Sequence, residues 1–224
     1  TKLNIPEWYK KLGHTVNKKT VKGCMPFLDS LTAGYLLKTP QDFYIQHNVD
    51  IENEKKEQSK DCFQQPALEA NQNLINLNCA SRGEYHSIMQ LEGSDYLQKN
   101  KGIPFHKILN PWKIKTPKGY SCLFVPPLNN TDDRFSIIPA IVDTDTYPKE
   151  INFPIVINGD KYPILETIIK KGTPYVQVIP FKRDSWKITL NPRTSKEVRK
   201  NILSDGLKIL NMYKDKYWNK KSWK

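Results

Sequence analysis

The chain has 224 residues, 38% of them hydrophobic, and carries a net charge of +12. That is apolar enough to build a core, which excludes wholesale disorder, and no apolar run approaches the roughly 20 residues that span a bilayer. So basic a balance favours polyanions, such as nucleic acid, an acidic protein surface or anionic lipid; of these, an acidic protein surface or nucleic acid is the partner expected, and a membrane is not.

Residues 1–30 space Trp8, Tyr9, Met25, Phe27 and Leu28 with Lys, Gly and Pro. They read as an irregular arm that docks by its aromatics. Two short apolar runs, 31–37 and 43–45, flank Lys38-Thr39-Pro40 and predict two strands about a turn. Residues 50–61 are densely charged and predict a solvated excursion. Alternation over 74–78 predicts a short half-buried strand, and 84–99 a short helix with Ile88, Leu91 and Tyr96 inward.

Residues 103–190 are punctuated throughout by proline, which forbids long helices and confines strands to short pieces. Apolar segments at 120–125, 137–142, 151–157, 164–169 and 175–181 predict strands. Pro117-Lys-Gly119, Asn158-Gly159-Asp160 and Lys171-Gly172 predict the turns between them. Short strands at this spacing predict a mainly β barrel or sandwich, because the crossover helices of a parallel sheet have no room.

The end of the chain changes character. Thr194-x-x-Glu197 has the form of a capping box, and Val198, Ile202, Ile209 and Tyr213 then share one helical face. Nine Lys/Arg against three acids over 196–224 supply half of the net charge. The whole, 1–224, reads as a single domain: an N-terminal arm (1–30), a β core (31–190) and a C-terminal helix with a basic aromatic tail (191–224).

Cys24, Cys62, Cys79 and Cys122 lie no closer than 17 residues apart, so no CxxC or zinc knuckle exists. Free thiols in a reducing compartment are expected, with no cofactor and no metal ligand assigned. No charged-then-apolar segment marks a secretory signal, and a cytoplasmic location, or one in a phage particle, is the expectation.

Four segments resemble motifs of the trimeric dUTPase and dCTP-deaminase family, in that family's order. Thr32-Ala33-Gly34-Tyr35-Leu36 is similar to its AGxDL motif. Pro117-x-Gly119-Tyr120 precedes Pro126-Pro127-Leu128-Asn129, where the family has a Pro-Arg-Ser turn. Ile141-Val142-Asp143-Thr144-Asp145-Thr146-Tyr147 resembles VIDxxY, with one residue inserted. Lys171-Gly172 followed by Gln177-Val178-Ile179 resembles KGDRIAQLI. The resemblance implies a distorted β-barrel of the β-clip kind and a homotrimer with nucleotide sites between subunits. It also exposes departures: Leu36 replaces the motif aspartate, and Leu128-Asn129 replace the Arg-Ser pair that grips phosphate. The KTPxGY, VDTDTY and KGTPxxQVIPFKR series further resembles a group of phage and bacterial proteins, which implies a viral connection and supplies no chemistry.

Asp143 and Asp145 are the catalytic candidates. At i and i+2 on a strand they would share a face about 7 Å apart, able to flank a divalent ion or orient water. The plainer reading is that they end a strand as hydrogen-bond acceptors. Tyr35, Tyr147, Gln177, Lys182, Arg183 and Trp186 are the ligand-binding candidates. Lys214, Lys216, Trp218, Lys220, Lys221, Trp223 and Lys224 interleave cation and aromatic, the composition that binds single strands or an acidic neighbour. Together these residues predict a non-catalytic binding or assembly protein. A hydrolase using Asp143 and Asp145 and a nucleic-acid module using the tail are the alternatives.

Overall fold

The computed structural model describes residues 5–48, 63–64, 88–101, 105, 107–108, 110–192, 194–195, 199 and 211–223. They form two compact units, Gly34–Phe181 and Thr1–Ala33 with Lys182–Lys224. The readings for 50–61, for 74–78 and for most of the helix after Thr194 lie outside the described residues.

The larger unit is mostly β. Strands β1 (Tyr35–Lys38), β10 (Pro174–Lys182), β5 (Tyr120–Val125) and β7 (Ala140–Val142) lie in that order in a four-stranded sheet. A second sheet orders β3 (Phe63–Gln64), β2 (Phe43–Asn48) and β9 (Ile164–Ile169), and a third β4 (Lys107–Ile108), β8 (Phe153–Ile157) and β6 (Phe135–Ile137). The pairs β1–β10, β5–β7, β2–β9 and β6–β8 run antiparallel. Among the described residues the three sheets have open edges and no closed barrel is present. Their edges are short: β6 and β7 have three residues each, too few for a long ladder to continue around.

The expected single strand over 137–142 divides at Ile138-Pro139. Ile138 N–H donates to Pro154 O at 2.9 Å, Pro139 has no N–H to offer, and the chain passes from the β8 sheet to the β5 sheet. β8 is apolar on both faces, with Phe153, Ile155, Val156 and Ile157 all buried. A strand buried on both sides reads as a continuous apolar run rather than an alternation. Its Phe153 ring lies 5.4 Å from Phe124 on β5 and 5.9 Å, edge-on, from Tyr175 on β10. Arg134, just before β6, clasps Asp132 through Nε at 2.9 Å and Nη2 at 2.5 Å, while Nη1 donates to Thr167 Oγ1 on β9 at 3.0 Å. That fork joins two of the sheets.

A 3₁₀ turn (Ile88–Leu91) and the helix α3 (Asp95–Lys99) stand where one helix is predicted, with Leu91 and Tyr96 half-buried. Asn100, buried at the end of α3, accepts Ile157 N–H on its Oδ1 at 2.9 Å and anchors the helix to β8.

The smaller unit corrects the reading of an irregular arm. It holds α1 (Glu7–Lys11), a 3₁₀ turn (Val21–Gly23) and α2 (Met25–Thr32). Proline stands in the first turn of α2, where its missing N–H costs nothing, and Met25 and Leu31 are buried. Leu31 is therefore helical rather than the start of a strand. Within this unit the aromatics pack on one another: Trp8, Tyr9 and Phe27 have ring centroids 5.7–6.0 Å apart. The described part of the C-terminal region contains α4 (Met212–Lys216).

Candidate functional site

Asp143 and Asp145 lie just beyond β7. The β5–β7 register sets Cys122 opposite Val142. Carried one place further it brings Ser121 to Asp143, and two more bring Gly119 to Asp145. The contacts agree. Ser121 Oγ donates to Asp143 Oδ1 at 2.6 Å, and Gly119 N–H donates to Asp145 Oδ2 at 2.8 Å. Both are charge-assisted bonds, the stronger kind. Gly119 holds φ +86°, a conformation glycine adopts without strain. Between the two carboxylates Thr144 turns inward, 1% exposed. Its Oγ1 lies 2.8 Å from Thr116 Oγ1 and 3.3 Å from Cys122 Sγ, and its carbonyl accepts Thr116 N–H at 3.3 Å. Burial pushes the Cys122 thiol above its ordinary pKa, and the Thr144 hydrogen bond opposes this only in part.

The expected strand geometry of the acidic pair is corrected here. β7 ends at Val142 and the chain turns over residues 144–146. Thr146 N–H and Tyr147 N–H both donate back to Asp143 O, at 3.1 and 2.9 Å. The two carboxylates thus face the 116–121 turn of their own unit.

The other candidates are distributed. Gln177 is 1% exposed, and its Oε1 accepts Leu128 N–H at 2.8 Å. That bond ties the ligand-binding candidate Gln177 to the backbone of the Pro126–Asn129 turn. Asn129, at φ +57°, takes the left-handed conformation that this turn needs. Tyr35 on β1 and Tyr147 past β7 are each about two-fifths exposed. In the other unit Lys182 pairs with Asp184 at 3.0 Å, and Trp186 is fully presented to solvent.

One sheet, β1-β10-β5-β7, holds parts of 35–36, 117–129, 141–147 and 171–179. Leu36 stands opposite Gln177, Gln177 holds the Pro126–Asn129 turn, and β5 and β7 carry the other two. A depression lined by Pro126, Pro127, Phe135 and Tyr175 has about 10 Å³ of room, at most one water. Among the described residues no three His, Cys, Asp or Glu side chains are grouped as metal ligands, and no helix is long and apolar enough to cross a membrane.

The basic tail is partly committed within its own unit. Trp218 Nε1 and Lys221 Nζ both donate to Asp29 Oδ2 on α2, at 2.9 and 2.6 Å, and the Lys221 ammonium lies 5.7 Å from the Trp218 ring centroid. Lys214, Lys216 and Lys220 are exposed, Trp223 is half-buried, and Lys224 lies outside the described residues.

Sequence reasoning passed over Ser121, Gly119, Thr116 and Thr144 as a set, and Asp29. The first group was within reach, because pairing the strand after KGY antiparallel to the one before VDTD sets them opposite one another. Asp29 had no local signal: its partners are 189 and 192 residues away.

Compared with protein-family models, with curated proteins and with solved structures, the chain has no significant match.

Proposed function

We propose that this chain is a non-catalytic binding or assembly protein on a dUTPase-like scaffold of the β-clip kind. One observation carries the reading: both motif carboxylates serve the fold, Asp143 accepting from Ser121 Oγ and Asp145 from Gly119 N–H. Leu36 and Leu128 stand where the resembled family has an acid and an arginine. They offer no charge to a transferred phosphate, and that electrostatic contribution is usually the largest in such catalysis. The scaffold assignment is supported by the one sheet that holds parts of the four motif segments. The +12 charge suits an acidic partner surface, and the likeness to phage proteins favours a role in a particle.

The test is a panel of nucleoside triphosphates with magnesium or manganese, scored for released pyrophosphate or phosphate. The wild type is expected to turn over none of them. Turnover that Asp143→Asn abolishes would overturn the reading in favour of the hydrolase.

A further inference from the structure

After Lys182 the chain leaves β10 and runs from Asp184 to Pro192 without regular secondary structure. Trp186, Ile188 and Leu190 are 87%, 85% and 86% exposed, the most exposed large apolar side chains among the described residues. Lys187 and Thr189 separate them. Alternation of period two is the pattern of a strand with one apolar face. Among the described residues, however, none is hydrogen-bonded to the backbone between Ser185 and Pro192. A segment with this one-sided apolar pattern and its backbone hydrogen bonds unmade is a template for another strand.

We propose that residues 184–192 form an interaction strand that pairs antiparallel with the same residues of a second copy of this chain. The sequence is self-complementary in one register. Centred on Ile188, pairing sets Ile188 against Ile188, Trp186 against Leu190, Lys187 against Thr189 and Ser185 against Asn191. Apolar side chains from both copies fall on one face and no like charges oppose. Centring on Trp186 instead sets Ile188 against Asp184 and Leu190 against Lys182. Centring on Leu190 sets Lys187 against Arg193 and Ile188 against Pro192, which has no N–H to donate. In the favoured register Pro192 falls at the end of the pairing, opposite Asp184, where that loss matters least. The arrangement is isologous, as a two-fold axis requires. Six large apolar side chains, three from each copy, gather on the shared face.

The inference names a partner for the assembly reading and rests on it. Its readout is mass rather than turnover, so either can fail alone. Sedimentation of the full chain at tens of micromolar is expected to give twice 26.1 kDa. Ile188→Asp sets two like charges on the axis and should weaken association by an order of magnitude or more, with an unchanged circular dichroism spectrum. As a second arm, Ile188→Cys should form an intermolecular disulfide at position 188 when oxidised with diamide, whereas Leu190→Cys, which does not face itself, should not. A wild-type monomer, a trimer as the family resemblance implies, or a dimer indifferent to Ile188→Asp would each overturn the two-fold pairing.

Discussion

Tyr175 shows how burial at one residue writes itself into the pH dependence of the whole fold. Its ring packs edge-on to Phe153, its hydroxyl lies 3.4 Å from Asn110 Oδ1, and burial pushes its phenol well above the ordinary 10.0. A group that holds its proton more tightly in the folded state contributes stability that is complete below the unfolded pKa. Above it the unfolded chain sheds the proton first, so stability falls as pH rises, by up to about 1.4 kcal/mol per pH unit. Tyr175→Phe removes this dependence together with one hydrogen bond, at about 1 kcal/mol near neutrality. Denaturant titrations at pH 8 and above pH 10, with the pH scale taken from that ordinary value, should find the variant weaker at the lower pH and the gap narrowed at the higher. A gap unchanged across that range would contradict the buried-phenol account. Among the cysteines, Cys122 is buried and Cys24 exposed, and both are free thiols. Burial is what separates them, and a cysteine count cannot read that.

At the scale of elements the sequence was most legible where turn residues bracket an apolar run. β5 and β9 fall on their predicted residues, and β10 extends by one at each end. Gly119 and Gly172, placed in turns, both have positive φ. Legibility failed where two elements share one apolar run. Residues 137–142 supply strands to two sheets, and Leu31 falls in α2, where it and Met25 are both buried. Gly34 marks that second boundary. It holds φ +59°, and a Cβ there would overlap the Val178 carbonyl of β10. Gly34→Ala should cost about 1–3 kcal/mol from the left-handed conformation alone, with the overlap adding to it, because relief requires β1 to leave the Tyr35–Val178 pair. Thermal unfolding of the variant reads this directly, and an unshifted midpoint would mean that β1 is not held against β10.

At the scale of the whole molecule, proline punctuation and the spacing of apolar runs indicated a mostly β core and the charge distribution a basic C-terminal end, but spacing did not indicate how the sheets end. Spacing reports how many short strands there are. Closure depends on edge length and on corners such as Ile138-Pro139, which only pairing reveals. The acidic pair teaches the same lesson: two aspartates two apart suggest a shared metal face until the neighbouring strand supplies Ser121 and Gly119 as donors. The claim on which the functional reading turns is that Asp143 belongs to the fold, and a double-mutant cycle between Ser121 and Asp143 tests it most directly. Unfolding free energies of the wild type, Ser121→Ala, Asp143→Ala and the double variant should give a coupling of about 1 kcal/mol, the double variant costing less than the two single changes together. Strict additivity, or an Asp143→Ala variant as stable as the wild type, would contradict the account and free that carboxylate for chemistry.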